Sequence, residues 1–178
     1  VRAPSVMSGY YNEPEITAET LSPDGWLDTG DIGYLVSGNI IITGRKKDLI
    51  IINGRNIWPQ DLEQLAEQQP DVRSGDALAF AVPGRDGADT AVMVVQYREK
   101  DAGKRAQLIR LLQGLILAEV GVDCHIKLAP LHTLPRTSSG KLSRSKARQN
   151  YIDAHQLNEA GSQKDREATA DLLQKQAG

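Results

Sequence analysis

The chain has a single cysteine, Cys124, among its 178 residues. One thiol excludes an intrachain disulfide framework and is typical of a reducing compartment, which predicts a cytoplasmic protein. Because no activating motif surrounds Cys124, we interpret it as a small core hydrophobe and not as a nucleophile. The chain also lacks any apolar run near the ~20 residues that a membrane span needs, and it has no signal-like start. We therefore expect no membrane span.

Aromatic residues and excess charge are also scarce. Aromatics make up 4% of the chain, and the formal net charge is −2. This net charge does not favour binding to nucleic acid or to an anionic membrane, so we expect no nucleic-acid partner, and any basic site must be local. The three histidines, at 125, 132 and 155, have no spacing typical of metal ligands. With 40% hydrophobic residues, the chain can nevertheless bury a modest core.

The first 46 residues predict a loop followed by a hairpin. Residues 1–30 are rich in Pro, Gly, Ser and Glu and show no periodicity, apart from one helical turn predicted at 15–20. Two β-rich runs, 32–36 and 39–43, flank Ser37-Gly38, a two-residue connection typical of a tight hairpin. A lone hairpin is not stable in water, so we expect it to pack on further protein. The start at Val1, without an initiator methionine, predicts a fragment of something larger.

The rest of the chain predicts a small α+β unit. A charged strip over 45–48 separates the hairpin from an apolar run and is suited to a hinge. We therefore divide the chain into 1–46, 47–155 and a polar tail, 156–178, which we expect to be frayed or disordered. The elements predicted in the middle part are a turn at Asn53-Gly54, helices over 59–69, 108–116 and 142–155, and strands over 77–82, 91–97 and 125–128. Gly121 is placed to end the second helix. Together they predict a three-stranded sheet covered by helices.

The segment 134–141, Leu-Pro-Arg-Thr-Ser-Ser-Gly-Lys, places Lys141 at the end of a small-residue loop. It is not a phosphate-cradling P-loop, because Pro135 and Leu142 occupy positions where that motif needs Gly and Ser or Thr. One interpretation is a mobile loop that carries a point charge to a phosphate or carboxylate. The other is a solvated lysine on a hairpin turn.

Two charged residues stand at the ends of the predicted hairpin. Asp31 follows a glycine and precedes a strand, where its carboxylate could accept hydrogen bonds from vicinal hydroxyls such as those of a ribose. Arg45 follows the return strand and so lies near Asp31. Alternatively, Asp31 caps a turn, or the two side chains simply pair with each other for little energy.

Four motifs occur in a fixed order, and together they resemble the carboxy-terminal third of the adenylate-forming superfamily, which includes acyl-CoA synthetases, peptide-synthetase adenylation domains and luciferases. The motifs lie at 9–17, 25–31, 44–50 and 135–141. The resemblance covers nearly all of residues 1–150. It implies that 1–46 ends a large amino-terminal adenylation domain and that 47–155 is a small mobile lid domain. It also implies a ligase that uses ATP, releases AMP and needs Mg²⁺, whose ligands we expect upstream.

Residue by residue, the resemblance assigns roles to four positions. Asp31 matches the family's aspartate that binds the ribose hydroxyls of ATP and AMP, and Arg45 matches the arginine that supports the same ribose. Lys47 stands where the family has its hinge residue. Lys141 matches the lysine that contacts the carboxylate and the α-phosphate during adenylation.

The turn at Gly54-Arg55 bears on the acyl acceptor. Its residue order is more similar to fatty acyl-AMP ligases, which load a carrier protein, than to acyl-CoA ligases, which usually have a Gly-aromatic-Arg order here. This implies a fatty acid substrate, an acyl carrier protein as acceptor, and a thiol-tunnel loop at Gly54 and Arg55. The alternative acceptor is CoA.

Basic residues gather near Lys141, and their use stays open. Docking of a carrier protein is one interpretation and a solvated helix face is another, while RNA binding is disfavoured because no aromatic residues interleave with the charges. The residues are Arg136, Arg144, Lys146 and Arg148. An interaction module that docks a carrier without catalysis is the alternative of another class. Because the triphosphate loop and the acyl tunnel are missing, we expect the 178 residues alone to be inactive.

Overall fold

A computed structural model of the chain describes residues 1–84 and 88–155. The chain divides into two compact units, Val1–Lys47 and a second that starts at Asp48. The disorder expected for the tail at 156–178 lies outside the described residues. No helix in the described part of the chain is long and apolar enough to cross a membrane.

The first unit contains one short helix and one hairpin. Helix α1, Pro14–Thr20, has proline at its start, where the missing N–H costs nothing. Strands β1, Asp31–Val36, and β2, Asn39–Arg45, pair antiparallel and join through Ser37 and Gly38. Both turn residues have positive φ, 49° and 81°, which matches the twist that a two-residue hairpin requires. The predicted hairpin is therefore correct, with strand ends one or two residues longer.

The hairpin leaves a large apolar surface open. Six of its side chains are between 41% and 71% exposed, namely Tyr34, Leu35, Val36, Ile40, Ile41 and Ile42. The residues that the structure describes cover them only in part. Apolar patches of this kind mark contact surfaces. The patch agrees with the expectation that the hairpin packs on further protein, which stays a prediction.

The second unit begins with a small hairpin and a helix. Strands β3, Ile50–Ile52, and β4, Arg55–Ile57, pair antiparallel across the predicted turn, in which Asn53 and Gly54 again have positive φ. Helix α2 spans Pro59–Glu67 and buries Leu62 and Ala66. The helix thus starts at the predicted proline and ends before Pro70.

A three-stranded sheet forms the centre of the second unit, as predicted. Its strands are β5, Ala77–Pro83, β6, Asp89–Gln96, and β7, Cys124–Ala129, in the order β5-β6-β7. Strands β5 and β6 are antiparallel, whereas β6 and β7 are parallel. Helix α3, Ala102–Glu119, makes the crossover between the parallel strands, and α4, Arg144–His155, ends the described chain. The α+β class is confirmed.

The bounds of two helices differ from the prediction. Helix α3 starts six residues before the apolar periodicity, because the Asp101 carboxylate accepts a hydrogen bond from the Lys104 N–H and caps the first turn. Helix α4 starts at Arg144 and not at 142, because Leu142 pairs with Arg136 in an isolated β-bridge.

Helices cover both faces of the sheet and make two cores. On one face the strands pack against α2 and α3, with Leu62, Met93, Leu112 and Ile116 fully buried. On the other face α4 packs through Tyr151 and Ile152 against Leu78, Phe80 and Val92. Cys124 lies in the first core, 4% exposed, as predicted. Burial raises the pKa of its thiol to about 12.

Candidate functional site

The lysine loop, residues 134–141, is a closed turn. The Thr137 N–H donates to the Lys141 carbonyl at 2.8 Å, and the Gly140 N–H donates to the Thr137 carbonyl at 2.9 Å. The Arg136 guanidinium also donates to the Gly140 carbonyl at 2.7 Å. Gly140 has a φ of 81°, which glycine adopts without strain. The loop is therefore a hairpin turn with a defined backbone, and its own hydrogen bonds hold it.

Within the part of the chain that the structure describes, the side chain of Lys141 has no partner. Lys141 is exposed, and no described residue makes a hydrogen bond or ion pair with its ammonium. An exposed ammonium on this turn fits the solvated lysine and also a charge offered to an external anion, whereas the mobility predicted for the loop stays a prediction. The geometry favours delivery at a defined position over delivery by a loose segment.

Two contacts tie the lysine loop to the fold, and the sequence did not predict either. The buried amide oxygen of Gln96 accepts hydrogen bonds from the N–H groups of Thr133 and Leu134, at 2.8 and 3.1 Å. At the other end, the Arg144 guanidinium donates to the Glu63 carboxylate at 2.8 Å. The only sequence signal for these contacts is that Gln96 and Glu63 are polar residues at inward-facing positions, Gln96 on a strand and Glu63 on a helix.

Asp31 and Arg45 pair with each other. Asp31 faces Arg45 in the strand register, and the Arg45 Nε donates to Asp31 Oδ1 at 3.0 Å. The two side chains remain 33% and 52% exposed. The sequence alternative of a mutual ion pair is therefore realised, although the described residues leave Oδ2 of the carboxylate open to another donor.

A cavity of about 620 Å³ lies beside this pair, within the first unit. Two short segments line it, Asp28–Gly30 and Arg45–Lys47, together with Tyr10 and Thr20. The second segment contributes three cations, whereas Asp28 is the only carboxylate among the lining residues. The Asp28 carboxylate already accepts from the Gly30 N–H at 2.8 Å. The cavity thus suits an anionic group.

The turn at Gly54 places Arg55 against helix α3. The Arg55 guanidinium donates to the Gly121 carbonyl at 3.1 Å, just beyond the helix end, where cations are favoured. Arg55 also lines an open cleft of about 380 Å³ with Asp61, Glu119 and other residues. Arg55 therefore has a structural contact, and its predicted place in a thiol tunnel stays a prediction.

The basic residues near Lys141 do not form one surface. Arg144 is 15% exposed and paired with Glu63, and the Arg148 Nε donates to the Ala81 carbonyl at 2.9 Å. Arg136 bonds its own loop. The interpretation of these residues as a shared docking patch is therefore wrong for Arg144, whereas for Arg148, which is only partly buried, it stays a prediction. The sequence did not show that α4 turns both toward the sheet.

The histidines and carboxylates form no metal centre in the described part of the chain. His125 and His155 both contact Tyr151: the Tyr151 hydroxyl lies 2.6 Å from His125 Nδ1, and the rings of Tyr151 and His155 stack at 4.0 Å. This cluster joins the exposed side of β7 to α4 and has a packing role.

Solved structures with the same architecture belong to acyl-activating enzymes. A solved structure from work on fatty acyl-adenylate ligases of E. coli and L. pneumophila matches with a TM-score of 0.78 and 46% identity, over 88% of this chain and 27% of that one. The chain therefore has the fold of the carboxy-terminal domain of adenylate-forming enzymes.

Sequence relatives give the same result. A Caulobacter vibrioides protein with the provisional name acyl-CoA synthetase is 55% identical over 85% of this chain. The medium-chain-fatty-acid–[acyl-carrier-protein] ligase JamA of Moorena producens is 36% identical over 84% of it. A scan against models of known families found no match. The chain belongs to the adenylate-forming, AMP-dependent ligases, as the motifs predicted, and it spans 26% and 27% of the length of these two relatives.

Proposed function

We propose that the chain is the carboxy-terminal portion of an ATP-dependent ligase that activates a fatty acid as acyl-AMP. The enzyme then transfers the acyl group from acyl-AMP to the phosphopantetheine thiol of a carrier protein, which forms a thioester and releases AMP. The observation that carries this proposal is Lys141, whose ammonium has no partner among the described residues and lies on a turn with a defined backbone, in a member of the adenylate-forming ligases.

Lys141 acts in the first half-reaction. Attack of the fatty acid carboxylate on the α-phosphate of ATP builds negative charge on the oxygens between the two groups, and pyrophosphate leaves. A lysine held between them interacts more strongly with the transition state than with the separate reactants, and this lowers the barrier. No described residue pairs with this ammonium, and this supports the role, because an ammonium already paired in the lid would lose part of that interaction.

Asp31 and Arg45 hold the ribose. The Arg45 contact at Oδ1 fixes the orientation of the Asp31 carboxylate and leaves Oδ2 to accept from the ribose hydroxyls. The cationic side chains of residues 45–47 would then attract the phosphates of the same nucleotide. Mg²⁺ would neutralise charge on the triphosphate when bound, and its ligands are proposed to lie upstream, as the family resemblance implies.

Lys47 is the proposed hinge. It lies at the last position of the first compact unit, so a change in its backbone dihedrals would reorient the second unit as a whole. We assign 1–46 to the end of the large adenylation domain and 47–155 to the lid, which closes differently for adenylation and for acyl transfer.

The acceptor is proposed to be a carrier protein. The relative JamA carries this activity in its name, and Arg55 of the thiol-tunnel loop is engaged by the Gly121 carbonyl, so it is a poor free cation for the phosphates of CoA. A CoA acceptor is the second candidate, favoured by the name of the relative with 55% identity. The full-length enzyme, given fatty acid and ATP with either CoA or a holo carrier protein, should acylate the carrier only. Acyl-CoA as the sole product, identified by mass spectrometry, would establish the second candidate instead.

A substitution tests the role of Lys141. In the full-length enzyme, Lys141→Ala should slow single-turnover formation of acyl-AMP by roughly 10²- to 10⁴-fold, as expected for the loss of one charge-stabilising donor. Lys146→Ala is the matched control, since Lys146 is also exposed, lies five residues away on the outside of α4 and should leave the rate unchanged. An unchanged rate for Lys141→Ala would refute the role.

A further inference from the structure

Gln96 fixes the residues where the lysine loop begins. Gln96 is 3% exposed, which is less than either member of the Glu63–Arg144 pair. Its amide nitrogen donates to the Asp76 carboxylate at 2.6 Å, which orients the amide. Its amide oxygen accepts hydrogen bonds from the N–H groups of Thr133 and Leu134. The central strand of the sheet therefore contacts the start of the loop directly.

The Glu63–Arg144 ion pair fixes the residues where the loop ends. Arg144 is the first residue of α4 and follows Lys141 by three positions. Its partner, Glu63, lies on α2 and also accepts the Ala79 N–H of β5 at 2.8 Å. One carboxylate oxygen therefore joins three elements of the unit: helix α2, strand β5 and the start of α4.

The Glu63–Arg144 ion pair is expected to add little to the free energy of folding. Both side chains are about 15% exposed or less, and burial raises the pKa of Glu63 against the opposing effect of the Arg144 charge. The Arg144 Nε is buried without a hydrogen-bond partner among the described residues. A buried pair of this kind often adds little net stability, and apolar residues of similar size replace such pairs at little cost. What it does provide is one defined arrangement of the groups that it joins.

We propose that Gln96 and the Glu63–Arg144 pair are positioning residues for Lys141. They hold the two ends of its loop so that the ammonium projects at one fixed place on the lid. The inference rests on the proposed role of Lys141 in adenylation. None of the three side chains is expected to touch substrate.

Double-mutant kinetics in the full-length enzyme test the proposal. Arg144→Met and Glu63→Gln should each slow single-turnover acyl-AMP formation by about 10- to 100-fold, because a displacement of about 1 Å can cost this much. Acyl transfer from acyl-AMP supplied directly, in which Lys141 takes no part, should change less than twofold. Combined with Lys141→Ala, neither substitution should slow adenylation further, because the group that they position is already gone.

A second variant guards against misfolding. Removing one partner leaves a buried charge alone, so Arg144→Met or Glu63→Gln could unfold the lid. The double variant Glu63→Gln/Arg144→Met has no unpaired charge, and its thermal unfolding temperature should approach that of the wild type. Its adenylation should nevertheless remain at least tenfold slow. Lys104→Met breaks the exposed ion pair with Glu99 and is the control that should leave both half-reactions unchanged.

Three results would overturn the inference. Effects that multiply with Lys141→Ala would show that the pair acts independently of the lysine. Equal losses in both half-reactions would show a merely structural role, and a stable double variant with wild-type adenylation would show that positioning does not need the pair. A different result refutes the proposed function itself: if Lys141→Ala alone leaves adenylation unchanged, then Lys141 is not the catalytic group and there is nothing to position.

Discussion

Gly121→Ala should destabilise the second unit by about 2 to 3 kcal/mol, through backbone strain at position 121 and through loss of a contact with Arg55. Gly121 lies two residues past the end of α3 with a φ of 74°, and its N–H donates to the carbonyls of Ile116 and Leu117. Placing an L-residue in this left-handed conformation costs about 1 to 2 kcal/mol.

A second cost comes from Arg55. A Cβ at Gly121 would collide with the Arg55 Nη1, so the guanidinium must leave the Gly121 carbonyl that it now contacts. A hydrogen bond from a charged donor contributes about 1.5 to 3 kcal/mol. Because Arg55 is exposed, we take about 1 kcal/mol for this contact.

Urea unfolding of the chain, followed by far-ultraviolet circular dichroism, measures both parts. In an Arg55→Ala background, Gly121→Ala should cost only the strain of about 1 to 2 kcal/mol, so the two changes should couple by about 1 kcal/mol. Gly114→Ala is the matched control, because Gly114 lies in the middle of α3 with open space around its Cα. This substitution should stabilise the helix by about 0.5 to 1 kcal/mol. Equal costs for Gly121→Ala in both backgrounds would refute the proposed contact.

Four further outcomes are expected. Cys124, with a thiol pKa raised to about 12 by burial, should resist iodoacetamide at neutral pH in the folded chain and react on unfolding. The Glu99 carboxylate should titrate near pH 2 by NMR, because hydrogen bonds from Asp101 N–H, Lys104 and Lys100 N–H lower its pKa from 4.5. Its folded pKa is depressed, so its stabilisation is complete above pH 4.5 and declines as the pH falls toward 2, and Glu99→Gln should flatten that part of the stability profile. In the full-length enzyme, Lys47→Pro should impair acyl transfer more than adenylation, because proline restricts the backbone rotation of a hinge, and equal losses would contradict this role. The 178 residues alone should show no acid-dependent exchange between ATP and pyrophosphate, and robust exchange would contradict the need for the missing part.

Local signals predicted most of the fold. The dipeptides Ser37-Gly38 and Asn53-Gly54 predicted both hairpin turns correctly, since few residue pairs tolerate two successive positive φ angles. Pro59 gave the start of α2 because proline suits the first position of a helix. In each case the physical cause lies within a few residues of the pattern, so the sequence contains it.

Contacts between distant residues could not be predicted in this way. Glu63 and Arg144 are 81 positions apart, and Gln96 lies 37 positions before Thr133. Nothing near Glu63 distinguishes it from a solvated glutamate on a helix, and the same is true of Arg148, which instead bonds the Ala81 carbonyl. Only the packing of α2 and α4 on the sheet brings these groups to their partners.

The residues that hold Lys141 all belong to the second unit, which has two hydrophobic cores of its own. The lysine therefore does not depend on the first unit for the shape of its turn. If the second unit is the lid proposed above, then transplanting it at Lys47 into another adenylate-forming enzyme should transfer Lys141 on a turn that is already formed. Compatibility in such a chimera would then depend on the surfaces that meet after the exchange, and not on rebuilding the loop.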